Sequence, residues 1–133
     1  MTILILIINL FTLTLKAPED KSMVIVSGEV IMPYEGLIYA IGKVECNFDT
    51  LAYNPIEEAT GFFQIRPIRL NDYNNKTGSN YKLIDMYNYQ IAEKVFLHYA
   101  SIIGPYNFER IIRNWNGKWE LTDDYYCKVK SNL

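Results

Sequence analysis

Glu45 nearly closes the segment "AIGKVEC", residues 40–46. Leu37, Ile38, Ile41 and Val44 recur ahead of it at helical spacing, and Glu45 stands four residues after Ile41, so it shares their face. The spacing predicts a helix whose inward stripe ends on a carboxyl. Such a group meets the negative end of the helix macrodipole and an apolar wall, and both disfavour its charged form. Ile41, Tyr53, Phe62 and Phe63 are the candidates for that wall. A carboxyl that keeps its proton near neutral pH is a general acid, able to protonate a poor leaving oxygen. Asp49, Glu57 and Glu58 are the carboxylates that could act beside it. A solvated helix end is the plain alternative for any single Glu.

Other chemistries find less support. There is one histidine, His98, and there are two cysteines, Cys46 and Cys127, with no CxxC, so no metal set is implied and no cofactor. His98 falls on a polar flank of a predicted helix and reads as a surface residue. An even cysteine count in an exported chain permits one disulfide, Cys46–Cys127, worth about 3–5 kcal/mol by the chain-entropy argument. Two free buried thiols are the other reading. A net charge of −2 and a pI near 5.4 give none of the basic footprint of a nucleic-acid binder. Eleven tyrosines and two tryptophans suit either a sugar-binding groove or an aromatic core, and composition does not choose between them.

The elements that must position Glu45 follow from periodicity and breakers. At 133 residues the chain is one domain with a small core. Residues 1–17 open with the uncharged apolar run "MTILILIINLFTLTL" and read as a signal peptide or N-terminal anchor, or else as an element of the domain. Residues 18–34 form a connector containing β-prone pieces hinged at Gly28. From 35 the pattern is mainly helical. Periodicity fails over about 47–68, which predicts a small irregular β-hairpin or a pair of loops. "IRLNDYNNKTG" begins with a helical turn and ends as a loop. Asp85 is the expected N-cap of the strongest helix, with Tyr89, Ala92, Val95, Phe96, Tyr99, Ile102 and Ile103 as its stripe and Gly104-Pro105 as its stop. "NFERIIRNW" is another short helix, broken at Asn116-Gly117. Thr122 caps a last one carrying Tyr125, Tyr126 and Val129. The expected class is α+β, mainly helical.

Three motifs in order carry a resemblance: Glu45 at a helix end, "GFFQI" sixteen residues later, and "NWNG" before an aromatic-rich terminal helix. Together they resemble the lysozyme superfamily, in particular soluble lytic transglycosylase-like domains of the phage and mobile-element type, over roughly residues 35–130. In that family a catalytic Glu is usually followed by Ser, then by a Gly-Leu-Met-Gln motif and a Tyr-Asn-x-Gly motif. Here Cys46 replaces the Ser, and Lys118 stands where a second Gly is common.

The resemblance implies a lysozyme-like domain over 35–133 that cleaves peptidoglycan strands between N-acetylmuramic acid and N-acetylglucosamine. Glu45 would be the single acid and base, with Tyr53, Thr60, Gly61, Phe63, Gln64, Asn116, Tyr125 and Tyr126 lining the substrate groove. It implies an exported (periplasmic or extracellular) or virion-associated monomer without cofactor, tethered to a membrane if the N-terminal segment stays. A hydrolytic muramidase would need Glu57 or Glu58 as second carboxylate. The bacteriophage lysozyme spacing, Asp nine and Thr fifteen residues after the Glu, finds Asn54 and Thr60, and Asn54 is no base. A non-catalytic glycan-binding virion protein of the same fold, and a membrane-tethered interaction protein, are the remaining readings.

Overall fold

A computed structural model describes residues 32–117 and 123–133. The expectations for residues 1–17, for most of the connector and for Thr122 as a cap fall outside the described residues. Helix α1, Glu35–Cys46, turns Leu37, Ile38, Ala40 and Ile41 inward. It ends where Asn47 and Phe48 adopt left-handed backbone, φ 51° and 68°, and the Phe48 N–H donates back to the Gly42 carbonyl. The expected hairpin is present and short. Strands β1, Tyr53–Asn54, and β2, Ala59–Thr60, pair antiparallel with Tyr53 opposite Thr60. Thr60 pairs again with Ile65, which closes a tight loop over Gly61–Gln64.

Gly61 is the fixed point of that loop. Its φ is +77°, and a Cβ there would lie 2.0 Å from the Met86 carbonyl oxygen. Only a residue without a side chain satisfies both conditions.

Helix α2, Pro67–Thr77, runs eleven residues where a turn and a loop were expected. Its sequence is polar, and only Leu70 and Tyr73 are buried. Pro67 at its first turn and Gly78 in left-handed conformation at its end frame it. Tertiary anchoring of those two side chains outweighs the weak helix preference of its asparagines. Asp85 does not cap the long helix. Its carboxylate accepts from the Lys82 N–H at 2.7 Å within a 3-10 turn, Leu83–Tyr87, and Asn88 caps α3 instead by accepting from Ile91 N–H at 3.2 Å.

Helix α3, Tyr89–Ile103, is the central element, with Ala92, Val95, Phe96, Tyr99 and Ala100 inward. Ile102, expected in that stripe, is 68% exposed. His98 packs edge-on against Tyr73 and Tyr99 at 5.1 Å with its Nε2 buried and unbonded, so it is no simple surface residue. Helix α4, Phe108–Asn116, starts on Asn107, whose side chain accepts from Arg110 N–H. Helix α5, Asp123–Lys130, packs on α1 and α4 through the buried Val129. Among the described residues the fold is thus mainly helical, five α-helices with one two-stranded sheet.

Candidate active site

Glu45 lies one residue before the end of α1, on the inward side that the stripe requires. The side chain keeps some accessible surface, but its carboxyl is withdrawn from water. Burial pushes its pKa from the ordinary 4.5 up to about 7. The hydrogen bond from Tyr125 and the charge of Arg66 work against that rise, the charge of Glu57 adds to it, and Arg69 opposes it more weakly. The Tyr125 hydroxyl donates to Glu45 Oε1 at 2.6 Å, which joins α5 to the end of α1. Burial first, and the neighbouring carboxyl second, hold the Tyr125 hydroxyl well above its usual pKa, so it remains a donor.

The segment after the hairpin forms the adjacent wall. The Phe62 ring lies over Gly42, where a Cβ would come within 2.0 Å of the ring's Cζ. Phe62 also meets Tyr89 edge-on at 5.0 Å. Gln64 holds left-handed backbone, φ 49°, and its amide nitrogen donates to the carbonyls of Gly61 at 3.0 Å and Ala52 at 3.4 Å. Its nitrogen therefore braces the loop.

Several expected groove residues are enclosed. Phe63 is fully buried, stacked on Phe96 at 4.8 Å with 10° between planes, so it is a core residue and not a substrate contact. Thr60 is 2% exposed and its hydroxyl donates to the Glu58 carbonyl. The period-two alternation of so short a strand left the direction of these side chains open. Gly61 is enclosed against Met86. Tyr53 is half-exposed on β1. Tyr126 turns to Arg113, whose guanidinium carbon lies 4.7 Å from its ring centroid, so Tyr125 is the member of the pair that meets the acid.

Among the candidate second carboxylates, Glu57 pairs with Arg66 at 3.6 Å and its charge acts on Glu45. Asp49 accepts from Leu51 N–H in its own turn, and Glu58 is exposed in left-handed backbone. The disulfide is not formed: both cysteines are free, Cys46 half-buried and Cys127 exposed. The Cys46 thiol instead faces the Phe62 carbonyl at 3.3 Å and the Gly42 carbonyl at 3.5 Å, and burial pushes its pKa up.

Arg66 and Arg69 belong to the site's frame. Arg66 Nη2 donates to the Asn116 carbonyl at 2.8 Å. Arg69 Nη2 donates to the carbonyls of Asn114 at 2.9 Å and Trp115 at 3.1 Å, its guanidinium against the rings of Trp115 and Tyr99. Asn116 thus meets the site through its backbone. In "QIRPIR" the two arginines flank the proline that starts the helix, Arg66 at the cap position and Arg69 in the first turn.

The constellation supplies a carboxyl that is protonated in part near neutral pH, a donor fixed on one of its oxygens, and cations that temper its proton affinity. That is the equipment of a general acid and base. Compared with protein-family models, with curated proteins and with solved structures, the chain finds no match in any of the three.

Proposed function

We propose that this is a lysozyme-like domain that cleaves peptidoglycan glycan strands by the lytic transglycosylase reaction, in an exported or virion-associated setting. The observation that carries the reading is the desolvated Glu45 carboxyl, pKa about 7, with the Tyr125 hydroxyl on Oε1. The order of helix-borne acid, small hairpin and helices supports the same family reading. Tyr125 on Oε1 leaves Oε2 to carry the proton. In the first step Oε2–H protonates the bridging oxygen between the sugars, and that bond breaks as the departing sugar takes the proton. The carboxylate then accepts the proton of the muramyl 6-hydroxyl, whose oxygen closes on the anomeric carbon to give a 1,6-anhydro ring. One group serves both steps, so no second acid is needed.

A specific observation keeps hydrolysis as the second reading. Glu57 is the candidate carboxylate whose charge acts on Glu45, and it pairs with Arg66 at 3.6 Å. Digestion of purified sacculi followed by mass spectrometry separates the two. Anhydro-muramyl ends, lighter by one water, are the expected products, and reducing ends alone would replace transglycosylation with hydrolysis. Lysis that persists undiminished in Glu45→Gln would exclude the acid from the chemistry altogether.

A further inference from the structure

Helices α2, α3 and α4 border a cleft of about 380 Å³ whose lining includes Arg69, Asp72, Lys76, Tyr99, Arg110 and Asn114. Arg69, Asp72 and Lys76 recur along one face of α2, and Arg110 reaches the cleft from the first turn of α4. Three cations thus meet one carboxylate, in a chain whose net charge is −2. Their donors are largely unspent. Arg110 makes no side-chain hydrogen bond or ion pair among the described residues. Arg69 spends Nη2 on two carbonyls, while its Nε and Nη1 donate to nothing among the described residues. Lys76 gives one bond, to Asp72, and has hydrogens left for others. Both two-pronged edges of a guanidinium include Nη2, so Arg69 retains single donors and no paired grip for a planar carboxylate. Single donors brought by two helices suit an anion with three or more oxygens.

Asp72 sets a second condition. Lys76 and the Tyr99 hydroxyl both donate to its Oδ2, at 2.8 and 2.7 Å. Those bonds, that of Lys76 first, hold its carboxyl below the usual pKa, so it is an acceptor only. Its Oδ1 accepts nothing among the described residues. An anion in this cleft must bring a hydrogen to that oxygen or meet its charge uncompensated. We propose that the cleft binds inorganic phosphate as the hydrogen phosphate dianion. Arg69, Lys76 and Arg110 donate to its bare oxygens, and its one O–H donates to Asp72 Oδ1. Binding here needs no turnover and is independent of the glycan-strand reading.

Inorganic phosphate, sulfate and methyl phosphate separate these features when each is titrated into the full chain at pH 8 and constant ionic strength, followed by NMR. All three are then dianions, and only inorganic phosphate keeps an O–H. Phosphate is expected to bind about five- to tenfold tighter than the other two, with shifts centred on Asp72, Arg110 and Asn114. Asp72→Asn, whose oxygen can still accept from Lys76 and Tyr99, is expected to erase that preference by strengthening sulfate. Arg110→Gln, a change on exposed surface, is expected to weaken phosphate about fivefold and to keep the preference. Equal affinities for the three ions in the wild type, or a preference that survives Asp72→Asn, would overturn the site. So would phosphate binding that Arg110→Gln leaves unchanged. Shifts scattered beyond the cleft would mean an adventitious ion only, and would overturn it too.

Discussion

Two helix C-termini meet through Arg66 and are treated in opposite ways. At the end of α4 the carbonyls of Asn114, Trp115 and Asn116 each accept from an arginine, so the negative end of that helix is neutralised. At the end of α1 stands a carboxyl, and the cation of its last turn, Lys43, is directed to Asn47 Oδ1 at 2.7 Å. One terminus is satisfied and the other is left in electrostatic conflict. The conflict coincides with the group suited to proton transfer, the pattern expected where activity is held at the expense of stability.

The largest effect should come from removing the conflict. Glu45→Gln is expected to lower wall-lytic activity by about 10²- to 10⁴-fold and to stabilise the fold at alkaline pH. The folded pKa, about 7, lies above the ordinary 4.5, so between these values the folded chain binds more protons than the unfolded one. The contribution of Glu45 to stability is therefore fully present below 4.5 and is lost as pH rises through 7, by up to about 3 kcal/mol. Urea unfolding at pH 5 and pH 8.5 checks this. Equal stability of the two proteins at pH 8.5 would show that the α1 end carries no such strain.

The satisfied end should respond in the opposite sense. Arg69→Met removes two carbonyl hydrogen bonds and the stacking on Trp115 and Tyr99, and is expected to cost about 2–3 kcal/mol. Arg66→Met should cost less, about 1–2 kcal/mol. It should also move the alkaline limb of the pH–activity profile upward from about 7, because the Arg66 charge lowers the Glu45 pKa. A limb that stays in place would uncouple the two helix ends. The smallest effect is expected from Asn107→Ala at the other end of α4, about 1 kcal/mol in thermal or urea unfolding. That substitution leaves the arginine clasp alone, so the pH limb should not move.

What the sequence made legible follows from what is periodic. The α1 stripe, the inward Glu45, the hairpin after it and the stops at Gly104 and Gly117 all rest on patterns of several residues or on strong breakers. Contacts set by partners distant in sequence were not legible. Helix α2 is anchored by only Leu70 and Tyr73, too few to form a pattern. Asp85 and Asn88 are both competent caps, and only the 3-10 turn between them decides which helix start each serves. Tyr125 and Tyr126 are neighbours on a helix and project about 100° apart, so choosing between them needs the position of α1. The buried side of Phe63, the outward Ile102 and the unpaired cysteines depend likewise on how elements meet.

Phe62 and Phe63 contribute more than rings. The carbonyl of the first receives the Cys46 thiol at the end of α1, and the carbonyl of the second receives the Trp115 indole N–H near the end of α4. Successive peptide units thereby tie the loop to two helices at once, and a planar trans peptide does not stretch. The separation of the two helix ends is gauged by a length the covalent chain itself supplies.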